Sequence, residues 1–94
     1  MMDEAIRKDV ETAARILREA GAQEVYVFGS AAHGKMRPDS DIDLAIRGLS
    51  PERFFPTMGR VRDAISHLFD LIDLDDDNLF TQYLEQEGEL LRVA

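Results

Sequence analysis

The chain has 94 residues, 45% hydrophobic and 32% charged, with no cysteine and a net charge of -8. That length supports one domain, 1–94, with a single core, and the lack of cysteine excludes disulfides and thiolate metal sites. Nineteen acids against eleven bases disfavour non-specific nucleic-acid binding, which needs clustered Lys and Arg, and no apolar run reaches the roughly 18 residues of a membrane span.

The N-terminus, Met1 to Arg7, carries acids and no apolar core, so it does not read as a secretory signal, and a cytoplasmic setting is expected. From Asp3 to Ala20 the residues Ile6, Val10, Ala13, Leu17 and Ala20 recur at helical spacing, and Gly21 follows where a helix C-cap belongs. "EVYVFG", 24 to 29, is rich in β-branched and aromatic side chains and predicts a strand; "DIDLAI", 41 to 46, predicts a second, closed by Gly48. Ser50 then Pro51 is an N-cap followed by a first-turn proline. Phe54, Met58, Val61, Ile65 and Leu68 line one face of the helix expected there, with Phe55 and Phe69 widening the stripe and His67 as a structural or exposed helix residue.

"FDLIDL", 69 to 74, predicts a third strand. Asp75 to Asp77 suit the positive end of a helix carrying Leu79, Phe80, Tyr83 and Leu84, and after Gly88 the run "ELLRV" predicts an edge strand. The order helix, strand, turn, strand, helix, strand, helix, strand implies an α+β (α/β) fold, a sheet with helices packed on it.

One stretch resists a bland reading. In "FGSAAHGKMRPDSDIDLAI", 28 to 46, the chain returns from a polar turn through two carboxylates separated by one isoleucine. Residues i and i+2 of a strand share a face, with Cα atoms about 6.6 Å apart, so Asp41 and Asp43 project together while Ile42 and Leu44 face the core. Carboxylates so close repel unless a cation separates them, and two Mg²⁺ ions roughly 3.5 to 4 Å apart fit that gap. A third carboxylate from a neighbouring strand would complete a hard-oxygen site. "FDLIDL" supplies Asp70 and Asp73 on opposite faces, of which only one can join the pair.

Gly29 and Ser30 stand where the first strand gives way to a turn. Glycine lets backbone approach a ligand, and exposed N–H groups with a serine hydroxyl suit phosphate oxygens. By itself a Gly-Ser is usually a turn, and an Asp-x-Asp a solvated pair; together at strand ends they suggest phosphoryl or nucleotidyl transfer. The spacing of Asp39, Asp41 and Asp43, or of Asp73, Asp75 and Asp77, also resembles a calcium loop. Leu44 and Asn78 replace that loop's sixth-position glycine, and Ser50 and Leu84 its twelfth-position glutamate. No Gly-Lys-Ser/Thr motif of a P-loop is present.

Gly29-Ser30, ten intervening residues, then Asp41-Ile42-Asp43 and a later acidic strand resemble the DNA polymerase β nucleotidyltransferase superfamily, in particular its minimal single-domain members. The resemblance implies the nucleotidyltransferase fold, a mixed sheet of about four strands. It implies triphosphate binding by Gly29 and Ser30, and metal binding and catalysis by Asp41, Asp43 and a third acid. The family's apolar-Asp-apolar-apolar pattern at Phe69-Asp70-Leu71-Ile72 favours Asp70, with Asp73 in reserve. His33 stands where many minimal members have Arg, and a neutral imidazole binds phosphate less strongly than a guanidinium, with Lys35 and Arg37 the nearby bases.

The implied activity is Mg²⁺-dependent transfer of AMP from ATP to an acceptor hydroxyl on a separate helical partner of the HEPN toxin type, the chain being the antitoxin. The alternative is a non-catalytic nucleotide-binding or antitoxin subunit acting by contact alone. The residues are also compatible with a homo-oligomer.

Overall fold

The computed structural model describes residues 3–29, 32, 41–88 and 90–94. The expectations placed on Ser30, His33, Lys35, Arg37 and Asp39 lie outside the described residues. Helix α1 (Glu4–Glu19) leads into β1 (Glu24–Phe28), β2 (Ile42–Arg47), α2 (Pro51–Ala64), β3 (Phe69–Asp73), α3 (Leu79–Gln86) and β4 (Leu91–Arg92), the order expected from the sequence.

Each end of α1 is satisfied locally. The Asp3 carboxylate accepts from the Ala5 N–H at 2.9 Å, meeting one of the orphan donors of the first turn. At the other end the N–H groups of Gly21 and Ala22 donate to the carbonyls of Arg18 and Leu17, both at 3.0 Å. This paired closure needs a left-handed residue after the cap, and Gly21 provides it at φ +119°.

The sheet order is β3-β2-β1-β4, with β1 antiparallel to β2 and β4, and β2 parallel to β3. Among the described residues this mixed four-stranded sheet with three helices is the expected α+β arrangement. On one face α1 and α2 bury Ile6, Leu17 and Val61 against Val25, Val27, Ile42, Leu44 and Ile46, all fully buried. Each such aliphatic side chain contributes about 1.5–3 kcal/mol through burial. On the other face α3 sets Leu84 against Phe28, Ala45 and Leu74.

Helix α2 stops short of the expected stripe. It ends at Ala64, and Ile65 is already extended at φ -118° and ψ 159°. His67 therefore lies after the helix rather than in it, Leu68 and Phe55 are each 74% exposed, and Phe69 opens β3. The reason sits on α1: Asp9 Oδ2 accepts from the backbone N–H of Ser66 at 2.9 Å and of His67 at 3.1 Å, and from Ser66 Oγ at 2.8 Å. His67 Nδ1 lies 2.6 Å from the same oxygen. A carboxylate that takes these two N–H groups offers the backbone an alternative to another helical turn.

Candidate active site

The antiparallel pairing of β1 with β2 and the parallel pairing of β2 with β3 bring the end of β1 and the starts of β2 and β3 to one edge of the fold. Phe28 is the register partner of Asp43, and Asp43 is the register partner of Asp70. Directly paired residues share a face, so these three form a row across the sheet, at about 4.8 Å per strand step. Asp41 stands immediately before β2, two residues from Asp43 and exposed, while Ile42 and Leu44 are fully buried on the opposite face. The same alternation makes the next row Tyr26, Ala45 and Ile72, which belongs to the small core under α3.

Asp73 is not in this row. It pairs with Ile46, three positions further along β3, and its Oδ1 accepts from the Asp75 N–H at 2.9 Å, which serves the turn that follows. The third carboxylate beside Asp43 is therefore Asp70, which is exposed.

The proximity has an electrostatic consequence. The carboxyl of Asp43 is raised above its ordinary pKa, first by partial burial and then by the charges of Asp70 and Asp41. The triad thus holds mutually repelling charge. Among the described residues no three His, Asp or Glu side chains converge into a ready-made metal cluster. The donor set is nonetheless all carboxylate oxygen, the ligand class that hard divalent cations prefer.

Gly29 borders the same carboxylate. It has φ +65°, and a Cβ placed on it would lie 2.5 Å from Asp43 Oδ2. Only a residue without a side chain combines that backbone with so close an approach. An open depression of about 270 Å³ extends from Gly29 and Asp43 along Phe28, Phe80, Tyr83 and Leu84. Phe80 meets Phe28 edge to face at 6.0 Å, and Phe80 and Tyr83 are 47% and 53% exposed.

Phe80 and Tyr83 lie on the helix expected after Asp77 but were not among the site residues expected from the sequence. The available signal was excess: eight residues of α3 carry Leu79, Phe80, Tyr83 and Leu84, and only Leu84 is buried. So short a helix has no room to bury four large apolar side chains on one stripe.

No curated protein sequence matches the chain. Solved structures do. One is a candidate minimal nucleotidyltransferase, with TM-score 0.76 and 24% identity over 99% of this chain and 97% of that one. Another is a toxin–antitoxin complex with AMP-PNP, with TM-score 0.69 and 22% identity over 88% of this chain and 70% of that one. A third is a tri-AMPylated HEPN toxin from Shewanella oneidensis in complex with its MNT antitoxin, with TM-score 0.64 and 20% identity over 92% and 69%. At these identities the likeness is one of fold. The sequence profile of the family "Polymerase beta, Nucleotidyltransferase" matches residues 11–93, which spans both the acid row and the sheet that carries it, and the chain belongs to that family.

Proposed function

We propose that the chain is a Mg²⁺-dependent nucleotidyltransferase that moves AMP from ATP to an acceptor hydroxyl on a separate protein of the HEPN toxin type. The observation that carries this reading is the register of Asp43 with Asp70, with Asp41 beside them and Gly29 facing Asp43 Oδ2. Asp41, Asp43 and Asp70 are the residues that would hold magnesium, two ions by the spacing of the pair. Their oxygens and the negative charge they bring together fit a divalent cation. When bound, magnesium lowers the pKa of an attacking hydroxyl and offsets charge on the phosphates.

The chain's own groups supply position. Gly29, without a Cβ, lets the triphosphate approach the backbone at the end of β1, and Ser30 would add its hydroxyl there. Phe80 and Tyr83 give the adjoining depression an apolar wall, suited to the flat face of a nucleobase. The solved relatives with AMP-PNP and with an AMPylated toxin support ATP as the donor and a HEPN protein as the acceptor.

The test is incubation with α-labelled ATP, Mg²⁺ and the product of the adjacent gene. Label on that protein, abolished by Asp41→Ala plus Asp43→Ala, is the expected result. Absence of label, with partner inhibition unchanged by those substitutions, would establish the alternative of neutralisation by contact alone. Separately, Mg²⁺ with ATP should raise the melting temperature, because a ligand that binds only the folded state stabilises it.

A further inference from the structure

A second concavity lies on the other side of the sheet. The first turns of α2 and the turn after β3 enclose an open groove of about 230 Å³ lined by Pro51, Phe54, Phe55, Asp73 and Asp76. Phe54 packs against the core, and Phe55 meets it edge to face at 5.3 Å and 84°. Phe55 is thereby held in place yet left 74% exposed. Pro56 follows inside the helix, so the Glu52 carbonyl in the same turn loses its helical N–H donor.

Two acids of this turn are engaged within the fold. Asp75 Oδ2 accepts from the Gly48 N–H at 2.7 Å and pairs with Arg47, and Asp77 Oδ1 accepts from Gln82 Nε2 at 2.9 Å. Asp73 uses one oxygen for the Asp75 N–H. Among the described residues no basic side chain stands at ion-pair distance from Asp73 or Asp76. Burial, together with the charges of Asp75 and Asp76, holds the Asp73 carboxyl above its ordinary pKa, against the Asp75 N–H bond and the charge of Arg47, which pull it down.

We propose that this groove docks an apolar segment of a partner protein through an arginine, the guanidinium bridging Asp73 and Asp76 against the Phe55 ring. Arginine fits better than lysine because its planar fork bonds carboxylates in parallel and lies flat on an aromatic face. Nucleic acid and anionic membrane are poor occupants: the groove acids repel phosphate, as does a net charge of -8. The site is independent of the acid row and of whether nucleotide transfer occurs.

The experiment titrates the ¹⁵N-labelled protein with a synthetic helical peptide of leucine, alanine and arginine, and with a matched peptide carrying glutamate for arginine. The expected result is amide shifts confined to Glu52–Phe55 and Leu74–Asp77 for the arginine peptide and none for its match. Phe55→Ser, and separately Asp73→Asn plus Asp76→Asn, should each weaken binding about tenfold or more, equivalent to about 1.4 kcal/mol, while Glu11→Gln on α1 leaves it within about twofold. Equal weakening by Glu11→Gln, or shifts spread over the whole acidic surface, would reduce the binding to general charge attraction and overturn the proposal. Sedimentation showing a dimer of this chain that Phe55→Ser dissolves would also overturn it, by making a second copy the occupant.

Discussion

Gly29 and Asp43 are so close that a single added carbon on the glycine would lie 2.5 Å from Asp43 Oδ2. Gly29→Ala therefore has two effects, the strain of φ +65° on a residue with a Cβ and a push against the carboxylate. The strain alone should cost about 1 kcal/mol. Asp43 can swing aside, which limits the stability loss but displaces a proposed ligand. Nucleotide transfer should accordingly fall far more than the melting temperature does, and thermal denaturation beside the labelling assay would show the split.

Asp43 also sets a pH signature. Its carboxyl is raised by burial first and by Asp70 and Asp41 next. A raised native pKa means the folded state holds its proton above the ordinary value of 3.8, so stability falls as pH rises through that window. At neutral pH the ionised carboxylate is then a net cost. Asp43→Asn should therefore stabilise modestly, read as a rise in Tm, since it removes the charge that burial and the neighbouring acids penalise. That gain should vanish on acidification through the raised pKa. Added Mg²⁺ should stabilise the wild type and not the variant.

The fold was legible because its signals are local. Helical spacing, alternating strands and the punctuation at Gly21, Gly48 and Ser50-Pro51 depend on neighbours in the chain. The acid pair was legible for the same reason, Asp43 lying on β2 and Asp41 two residues earlier, immediately before the strand. The choice between Asp70 and Asp73 was not decided by spacing, because it depends on how β3 registers with β2. The end of α2 was equally hidden, being set by Asp9, 57 residues before Ser66. Phe80 and Tyr83 become part of the depression only once α3 folds back over Phe28.

The start of α3 carries a cap beyond the acids that precede it. Asp75 to Asp77 suggested a helix favoured by charge, but the cap is Asn78, whose Oδ1 accepts from the Thr81 N–H at 3.0 Å while Thr81 Oγ1 accepts from the Asn78 N–H at 3.1 Å. This reciprocal pair satisfies two backbone donors at once. Asn78→Ala should cost about 1 kcal/mol. The effect should localise to α3, as faster amide exchange there than in α1 or α2, and with it a loss of order at Phe80 and Tyr83.

A buried tether outside the core joins α1 to the segment before β3. Asp9 and His67 side chains are 14% and 9% exposed, and one Asp9 oxygen serves four groups of Ser66 and His67. Burial is the largest single influence on Asp9 and opposes its charge, but the bonds from His67 and Ser66 together outweigh it and lower its pKa. A lowered native pKa means the unfolded chain binds the proton more readily. The stabilisation is therefore complete above the ordinary value of 3.8 and is lost as pH falls through the lowered one. Asp9→Ala strands those donors and should cost about 2–4 kcal/mol at neutral pH, with Asp9→Asn costing less because it keeps an acceptor. The margin of the wild type over Asp9→Asn should shrink as pH falls below 3.8. A margin that stayed constant to the lowest pH at which both remain folded would mean the carboxylate charge contributes nothing. Because this tether fixes the chain two residues before Phe69, Asp9→Ala should also loosen the register of Asp70 beside Asp43. Amide exchange at Asp70 and Leu71 should then rise more than at Val25 and Val27, which α1 covers directly.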